Sequence, residues 1–530
     1  MGNAEVQSKM EALVASATER FEGRVGGRTR VIAHVAHCSL AAGADRVVEV
    51  LRKQVGEDSV LIVAGCDGAC FAAPSVEIVT PADHCTYFSG LSADDLDLTD
   101  TAGESSDGAA AVAEFLSSQC RVSLEGCGIL DAESIDHYLA AGGYSAWSHA
   151  LQTSPESLIE EIKASRIRGR GGAYFPAGMK WEAARRTRSD QRYVIVNCEE
   201  GEPGLFKDRH LMEGVPHRII EGALIAAYAV DADEVIFYIN AEANLSNRRM
   251  ALATEQAMEL GLIGEDVLGS GFDVRVEIRR GAGGYVCGDE TTLLNTIEGY
   301  RREPRLRPPY PVESGLWGLP TVINNAETLA SIPEILNRGA DEFTTIGDGE
   351  DTGTKIISLS GAVNRPGLVE IPIGTTLRDI IFDVGGGVRG GRDLTAIGVG
   401  GPSSGVFPPS MLDTPIKPGF LHESGVMLGA GGVIAVDDSM NVVEVVRNLA
   451  QYNANESCGK CTPCREGTPR MVELLDEVVE NRASPAELEN LARLVNETSL
   501  CGLGQAAGNP ILSGLHFFGD KIAGRQGAGR

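Results

Sequence analysis

Three cysteines at two-residue intervals, Cys458, Cys461 and Cys464 in ESCGKCTPCREG, constrain this chain more than any other stretch. That spacing sets three thiolates on a compact, turning backbone, and a distant fourth, Cys501 in SLCGLG, can close a tetrahedral set. Four sulfur donors suit either a four-iron cluster or zinc, and spacing alone does not choose between them. Four merely buried thiols would be the bland account. The packing of Gly459, Pro463 and Gly467 around them argues against it. Twelve cysteines would make six pairs in an oxidised compartment, but their grouping suggests metal ligands in a reducing one.

A length of 530 residues calls for two to four units. The 65 glycines recur beside strand-like segments without a collagen period, which implies tight turns and close backbone approaches. A formal net charge of −28 disfavours nonspecific nucleic-acid binding. No apolar run reaches membrane-spanning length, and MGNAEVQSKMEAL holds no signal-peptide core. Direct membrane insertion and export are therefore not expected.

The periodicity predicts a multidomain α/β chain. After a helical lead, RVIAHVAH, AGADRVVEVLRKQV and SVLIVAG read as strand, helix and strand within a small unit over residues 1–100. The acidic stretch from residue 91 reads as a boundary, and residues 101–165 as a linker with helical segments. A layered α/β unit is expected over 166–345, with strands YVIVNC, EVIFYIN and FDVRVEIRR alternating with helices. Residues 346–440 suggest a small β-grasp-like unit whose helix begins near Thr375, and 441–530 a helical unit around the cysteines.

Three loops in the second unit carry chemistry. In GRGGAYFPAGMKW, Gly169, Gly171 and Gly172 allow backbone amides to approach a phosphate or ring, and Lys180 supplies a charge. The spacing is neither a P-loop nor the dinucleotide GxGxxG. Asn197, Glu199, Glu200 and Glu202 follow the apolar run YVIV, near the strand end where open α/β folds form ligand crevices. In GAGGYVCGDETTL, Tyr285 offers a flat surface while Asp289 and Glu290 add acceptors. Each loop alone is equally well read as a structural turn or a solvated surface.

Taken in order, residues 150–520 resemble the flavoprotein subunit of respiratory complex I and its relatives in NAD-linked hydrogenases, formate dehydrogenases and bifurcating enzymes. The resemblance implies an FMN-binding α/β domain, a β-grasp-like domain and a helical domain with a [4Fe-4S] cluster. It assigns Gly169, Arg170, Gly171, Gly172 and Lys180 to the flavin loop, and Asn197, Glu199, Glu200, Tyr285, Asp289, Glu290, Asn324 and Asn325 to flavin contacts. Glu199 and Asp289 depart mildly from the family's pattern, each by one methylene. Phe175, Glu202, Arg307 and Tyr310 match NAD(H) contacts, with Ala183 where some relatives carry a second aromatic. Cys458, Cys461, Cys464 and Cys501 match the four cluster ligands, and beside a flavin a reducible iron–sulfur centre outranks zinc.

Residues 30–90 resemble the thioredoxin-like ferredoxin domain of the companion subunit, which binds a [2Fe-2S] cluster through four cysteines. Cys66 and Cys70 fit the second pair and Cys38 one of the first, while the remaining position has no cysteine. His34 and His37 are near in sequence, and Cys85, Cys120 and Cys127 stay open as buried thiols or unusual ligands. A cluster-free scaffold, a two-iron centre with altered ligation and another metal are three readings of this pattern.

The function the resemblance implies is FMN-dependent NADH oxidation. Hydride passes to the flavin and single electrons pass to iron–sulfur centres, with no side chain acting as a covalent nucleophile or general acid. Expected partners are ferredoxin-like iron–sulfur subunits and a separate catalytic redox module. The location is cytoplasmic, with any membrane association made through those partners. A noncatalytic iron–sulfur assembly or electron-relay subunit is the competing reading.

Overall fold

The computed structural model describes residues 2–94 and 108–524. Most of the acidic boundary read from residue 91 lies outside the described residues. Helix α1 (Gly2–Val25) leads into strand β1 (Thr29–His34), helix α2 (Ala44–Gln54) and strand β2 (Ser59–Ala64). Strands β3 (Val76–Val79) and β4 (Cys85–Phe88) complete a sheet of order β2-β1-β3-β4, in which β1 and β2 are parallel and the last two pairings antiparallel. Alternate residues of β2 are buried, as a strand with one face on the core requires. Strand β4 has no counterpart in the sequence pattern, because CTYF is too short to declare a period.

The second sheet is wholly parallel, in order β7-β6-β5-β8, from β5 (Tyr193–Cys198), β6 (Glu234–Ile239), β7 (Arg275–Arg280) and β8 (Thr321–Asn325). Helices α3 (Ala177–Arg186), α4 (Lys207–Gly214), α5 (Pro216–Val230), α6 (Asn244–Glu259), α7 (Glu290–Ile297) and α8 (Ala326–Ala330) surround it. Strand β5 is buried along both faces, which is why YVIV reads as a continuous apolar run rather than an alternation. The chain runs outward from β5 to β6 and β7, then returns to place β8 on the other side of β5. That reversal opens a crevice at the carboxyl ends of β5 and β8.

The third sheet has five strands: β9 (Thr354–Gly361), β10 (Gly367–Pro372), β11 (Leu394–Val399), β12 (Gly405–Phe407) and β13 (Gly432–Asp437), in order β10-β9-β13-β11-β12. The last three do not stand out in the sequence, since glycine breaks their runs. The helix expected from Thr375 widens into a π-turn over Asp379–Val384. Segment 108–165 is packed into this body rather than strung between bodies. Glu370 on β10 is buried, and its carboxylate accepts the backbone N–H groups of Val122, Ser123 and Leu124 at 3.1, 2.8 and 2.8 Å.

Helices α9 (Val442–Asn455), α10 (Thr462–Val479), α11 (Pro485–Thr498), α12 (Gly502–Ala506) and α13 (Asn509–Ile522) form the terminal unit, with Asn441 and Ser484 as side-chain caps of α9 and α11. Among the described residues, no helix is long and apolar enough to cross a membrane.

Candidate functional site

A cavity of about 420 Å³ occupies the crevice at the carboxyl ends of β5 and β8. All three loops singled out in the sequence reach it: Gly169, Gly171, Gly172, Phe175 and Lys180 from the first, Asn197, Glu199, Glu200 and Glu202 from the second, Tyr285, Asp289 and Glu290 from the third. Arg307, Asn324 and Asn325 line it as well. The opposite wall comes from the third sheet, through Gly400, Ser403, Met427 and Gly429, and the floor from Cys501 and Leu503. Neither the wall nor Lys207 and Asp208 at the start of α4 stands out in the sequence, because only the tertiary fold carries them to the crevice.

Two glycines show how closely the cavity is built. Gly172 holds φ at +110°, a region open to few side-chain-bearing residues, with its missing Cβ 3.4 Å from Gly429 on the opposite wall. Gly401 holds φ at +75°, and a Cβ there would fall 2.0 Å from Glu202 Oε1.

The polar side chains divide into those already engaged and those left open. Asn325 caps α8, accepts from Lys207 Nζ at 2.9 Å, and donates to Asp208 Oδ2 at 2.7 Å. Asn197 donates to Gly288 O at 2.8 Å, and Asn324 Oδ1 accepts from Trp181 Nε1 at 2.9 Å. Asp289 accepts the N–H groups of Thr291 and Thr292 at 3.0 and 3.1 Å, so the acceptor expected for a ligand is largely the N-cap of α7. Lys180 pairs with Glu290 and donates to Ile323 O at 2.9 Å, while Arg307 stands 3.9 Å from the same Glu290. Tyr285 OH accepts from Ser403 Oγ at 2.8 Å, tying the third loop to the opposite wall.

Two buried carboxyl oxygens at the cavity have no partner among the described residues: Glu199 Oε2 and Glu202 Oε1. Glu199 accepts from Asn240 Nδ2 at 2.7 Å through its other oxygen, yet burial holds its pKa up to about 7. Burial, then the neighbouring Glu200, pushes Glu202 up to about 8. Buried polar atoms are ordinarily satisfied, so unpaired ones facing a cavity mark where a ligand is to bind. Glu202 thus favours its protonated form near neutral pH. Lys207 is buried between Asp208 at 2.7 Å and Glu327 at 3.1 Å, and these carboxylates raise its pKa against the opposing effect of burial.

Two of the residues expected to contact cofactor are not among those lining the cavity. Arg170 does not line the cavity: its buried guanidinium donates to the carbonyls of Thr354, Arg168 and Thr352 at 2.9, 2.8 and 2.7 Å, clamping the glycine loop to β9. Tyr310 also stands away, 53% exposed at the start of the short helix Pro311–Ser314. Phe175, 51% exposed, reaches the cavity.

Cys458, Cys461, Cys464 and Cys501 gather in one cluster with Tyr285, Val286 and Leu503. Cys461 stands at the N-cap of the long helix α10, and Cys501 immediately precedes α12. Cys501 lines the cavity itself, so the sulfur cluster abuts the crevice.

At the amino-terminal sheet, Cys38, Cys66 and Cys70 converge as expected. Neither nearby histidine joins them. His34 hydrogen-bonds Ser75 Oγ at 3.0 Å and Gly128 O at 3.1 Å, and His37 bonds the Glu213 carboxylate at 3.0 Å. Cys85 donates to Glu77 Oε1 at 2.7 Å on an exposed edge, and Cys127 is buried under Gly214.

A flavin-binding, iron–sulfur-bearing electron-transfer subunit is the class of protein that this fold and cavity define. Residues 162–334 match the Nuo51 FMN-binding domain family, 355–447 the SLBB domain family, and 444–525 the NADH-ubiquinone oxidoreductase-F iron-sulfur binding region. The chain is 41% identical over 406 residues to the NADP-reducing hydrogenase subunit HndC of Solidesulfovibrio fructosivorans, covering 76% of this chain and 83% of that one. It is 41% identical over 407 residues to an NADH-quinone oxidoreductase subunit of Rhizobium meliloti, covering 76% and 97%. The crystal structure of an NAD+-reducing [NiFe]-hydrogenase in the air-oxidized state superposes with a TM-score of 0.66 at 27% identity, covering 97% of this chain and 88% of that one. The chain belongs to the family of NADH-dehydrogenase and hydrogenase flavoprotein subunits, and it carries FMN- and iron–sulfur-binding domains.

Proposed function

We infer that this chain is the FMN-dependent NADH oxidoreductase, or diaphorase, component of a larger redox complex, delivering electrons to iron–sulfur centres. The observation that carries this reading is a single cavity lined both by two unpaired buried carboxyl oxygens and by a cysteine of the sulfur cluster. FMN, when bound, supplies a ring that takes two electrons as hydride and gives them up singly.

The residues fit that group. Gly169, Gly171 and Gly172 leave space for a ring or phosphate against the backbone, and Lys180 with Arg307 brings positive charge to the same side. Glu199 and Glu202, raised to about 7 and 8, can each keep a proton and donate it as a hydrogen bond to a ring or amide acceptor. Asn197, Asn324 and Asn325 orient the floor of the crevice through their own hydrogen bonds. Phe175 stands at the cavity lip as the stacking surface for nicotinamide, and Glu202 and Arg307 are the remaining dinucleotide contacts.

We assign Cys458, Cys461, Cys464 and Cys501 to a [4Fe-4S] cluster. The sheet orders support naming the first sheet thioredoxin-like and the third β-grasp-like. Ferredoxin-like iron–sulfur subunits and a separate catalytic redox module are the partners such a chain serves, in the cytoplasm. The competing relay-only reading leaves the unpaired oxygens of Glu199 and Glu202 without a purpose. Anaerobic stopped-flow mixing with NADH tests the assignment: flavin absorbance falls within the turnover time if it is right. An FMN-loaded chain whose flavin stays oxidised overturns it.

A further inference from the structure

The fourth donor that the amino-terminal cysteines lack in sequence is present in space. Cys38, Cys66, Cys70 and His210 bring one ligand atom each to within 4.8 Å of one another. His210 lies on α4, in the flavin-domain part of the chain, far from the other three in sequence. Its ring is 1% exposed, and neither Nδ1 nor Nε2 has a hydrogen-bond partner among the described residues. A buried imidazole with both nitrogens unpaired is costly unless something else binds it. Cys38 and Cys70 are free thiols with their sulfurs 3.7 Å apart, and Cys66 Sγ accepts the Gly68 N–H at 3.4 Å.

We propose that Cys38, Cys66, Cys70 and His210 bind a single zinc ion that fastens the amino-terminal lobe to helix α4. Spacing decides between one ion and a two-iron cluster. Bonds of about 2.3 Å to sulfur and about 2.0 Å to nitrogen in a tetrahedron put neighbouring donors roughly 3.5–3.8 Å apart. The Cys38–Cys70 separation is of that size. A two-iron core instead holds its ligand pairs at opposite ends of a rhomb, wider than the 4.8 Å limit this set satisfies. Three cysteine sulfurs and one imidazole, with Cys66 and His210 buried and Cys38 and Cys70 half-buried, make a four-donor structural zinc set.

The surrounding interface is closely packed and hydrogen-bonded. Gly65 lies so close to Gly214, at the end of α4, that a Cβ on it would come within 2.2 Å of the Gly214 Cα. His37 of the lobe bonds Glu213 of the same helix through its backbone N–H at 2.8 Å and its ring at 3.0 Å. Arg249 donates to Val35 O at 2.8 Å from α6. Helix α4 begins with Lys207 and Asp208, which line the flavin cavity, so the ion anchors a helix whose other end shapes that cavity.

The test is metal and sulfide analysis of the full chain, purified anaerobically with its partners, followed by zinc-edge X-ray absorption. One zinc per chain is expected, with three sulfurs at about 2.3 Å and one nitrogen at about 2.0 Å. His210→Ala should lose the zinc while the iron and sulfide of the carboxyl-terminal cluster stay unchanged. His210→Cys should keep zinc with four sulfurs, which separates loss of a ligand from failure to fold. Two additional irons with two sulfides, one mononuclear iron, a Cys38–Cys70 disulfide, or zinc-free protein from zinc-replete growth each overturns the proposal. Flavin reduction by NADH is read separately, so failure of the zinc site is distinguishable from failure of the assigned activity.

Discussion

Replacing Glu202 by Gln isolates the electrostatic work of the cavity, because the amide copies the shape of the protonated acid and cannot ionise. In the folded chain Glu202 is raised to about 8 from an ordinary 4.5, burial being the main cause and Glu200 the second. A carboxyl whose folded pKa is raised contributes stability that is full below the unfolded value and lost as pH climbs through the folded one. The wild type should therefore lose stability relative to Glu202→Gln between about pH 4.5 and about pH 8, and the difference should level off above that. The slope is at most about 1.4 kcal/mol per pH unit, with a ceiling of about 5 kcal/mol, because entering water and relaxation reduce it. Urea unfolding midpoints of the flavin-free protein, measured for both forms from about pH 5.5 to 9, give the difference directly where the two share an m-value. A flat difference, or one that favours the wild type as pH rises, would refute a buried and neutral Glu202.

Gly401→Ala should lower FMN content several-fold at equal expression, since its Cβ would fall 2.0 Å from Glu202 Oε1 at a φ of +75°; flavin released on denaturation measures it. Phe175→Ala should raise the KM for NADH roughly tenfold through lost stacking, whereas Tyr310→Ala should change it less than about twofold, and steady-state kinetics with ferricyanide separates them. Lys207→Met leaves Asp208 without its buried cation, while Glu327 keeps Lys355 at 2.6 Å, and should cost about 3–5 kcal/mol of stability, with parallel loss of flavin; an unfolding midpoint within about 1 kcal/mol of the wild type would contradict the pairing.

Features encoded by neighbours in sequence were legible without coordinates. The run YVIV announced a strand, and the residues after it fell at the crevice because strand ends and ligand sites coincide in parallel sheets. The Cys458, Cys461 and Cys464 spacing places three thiols on one turn whatever else the chain does, and Cys501 joins them in the structure. Where a side chain had several possible partners, sequence was silent. Arg170 turned to three backbone carbonyls and Asp289 to the amides of α7, backbone groups that need a partner once buried and that only the fold brings within reach. Tyr310 was carried outward by the short helix that follows it.

The amino-terminal lobe divides the two kinds of information most clearly. Sequence alone determined that three cysteines follow β1 and β2 and that the remaining position of the pattern has none. That His210 is the missing donor was decided by the docking of α4 against the lobe. The same holds for the cavity wall from Gly400, Ser403, Met427 and Gly429. Periodicity reports which face of an element meets a core; it carries no record of which distant element arrives there.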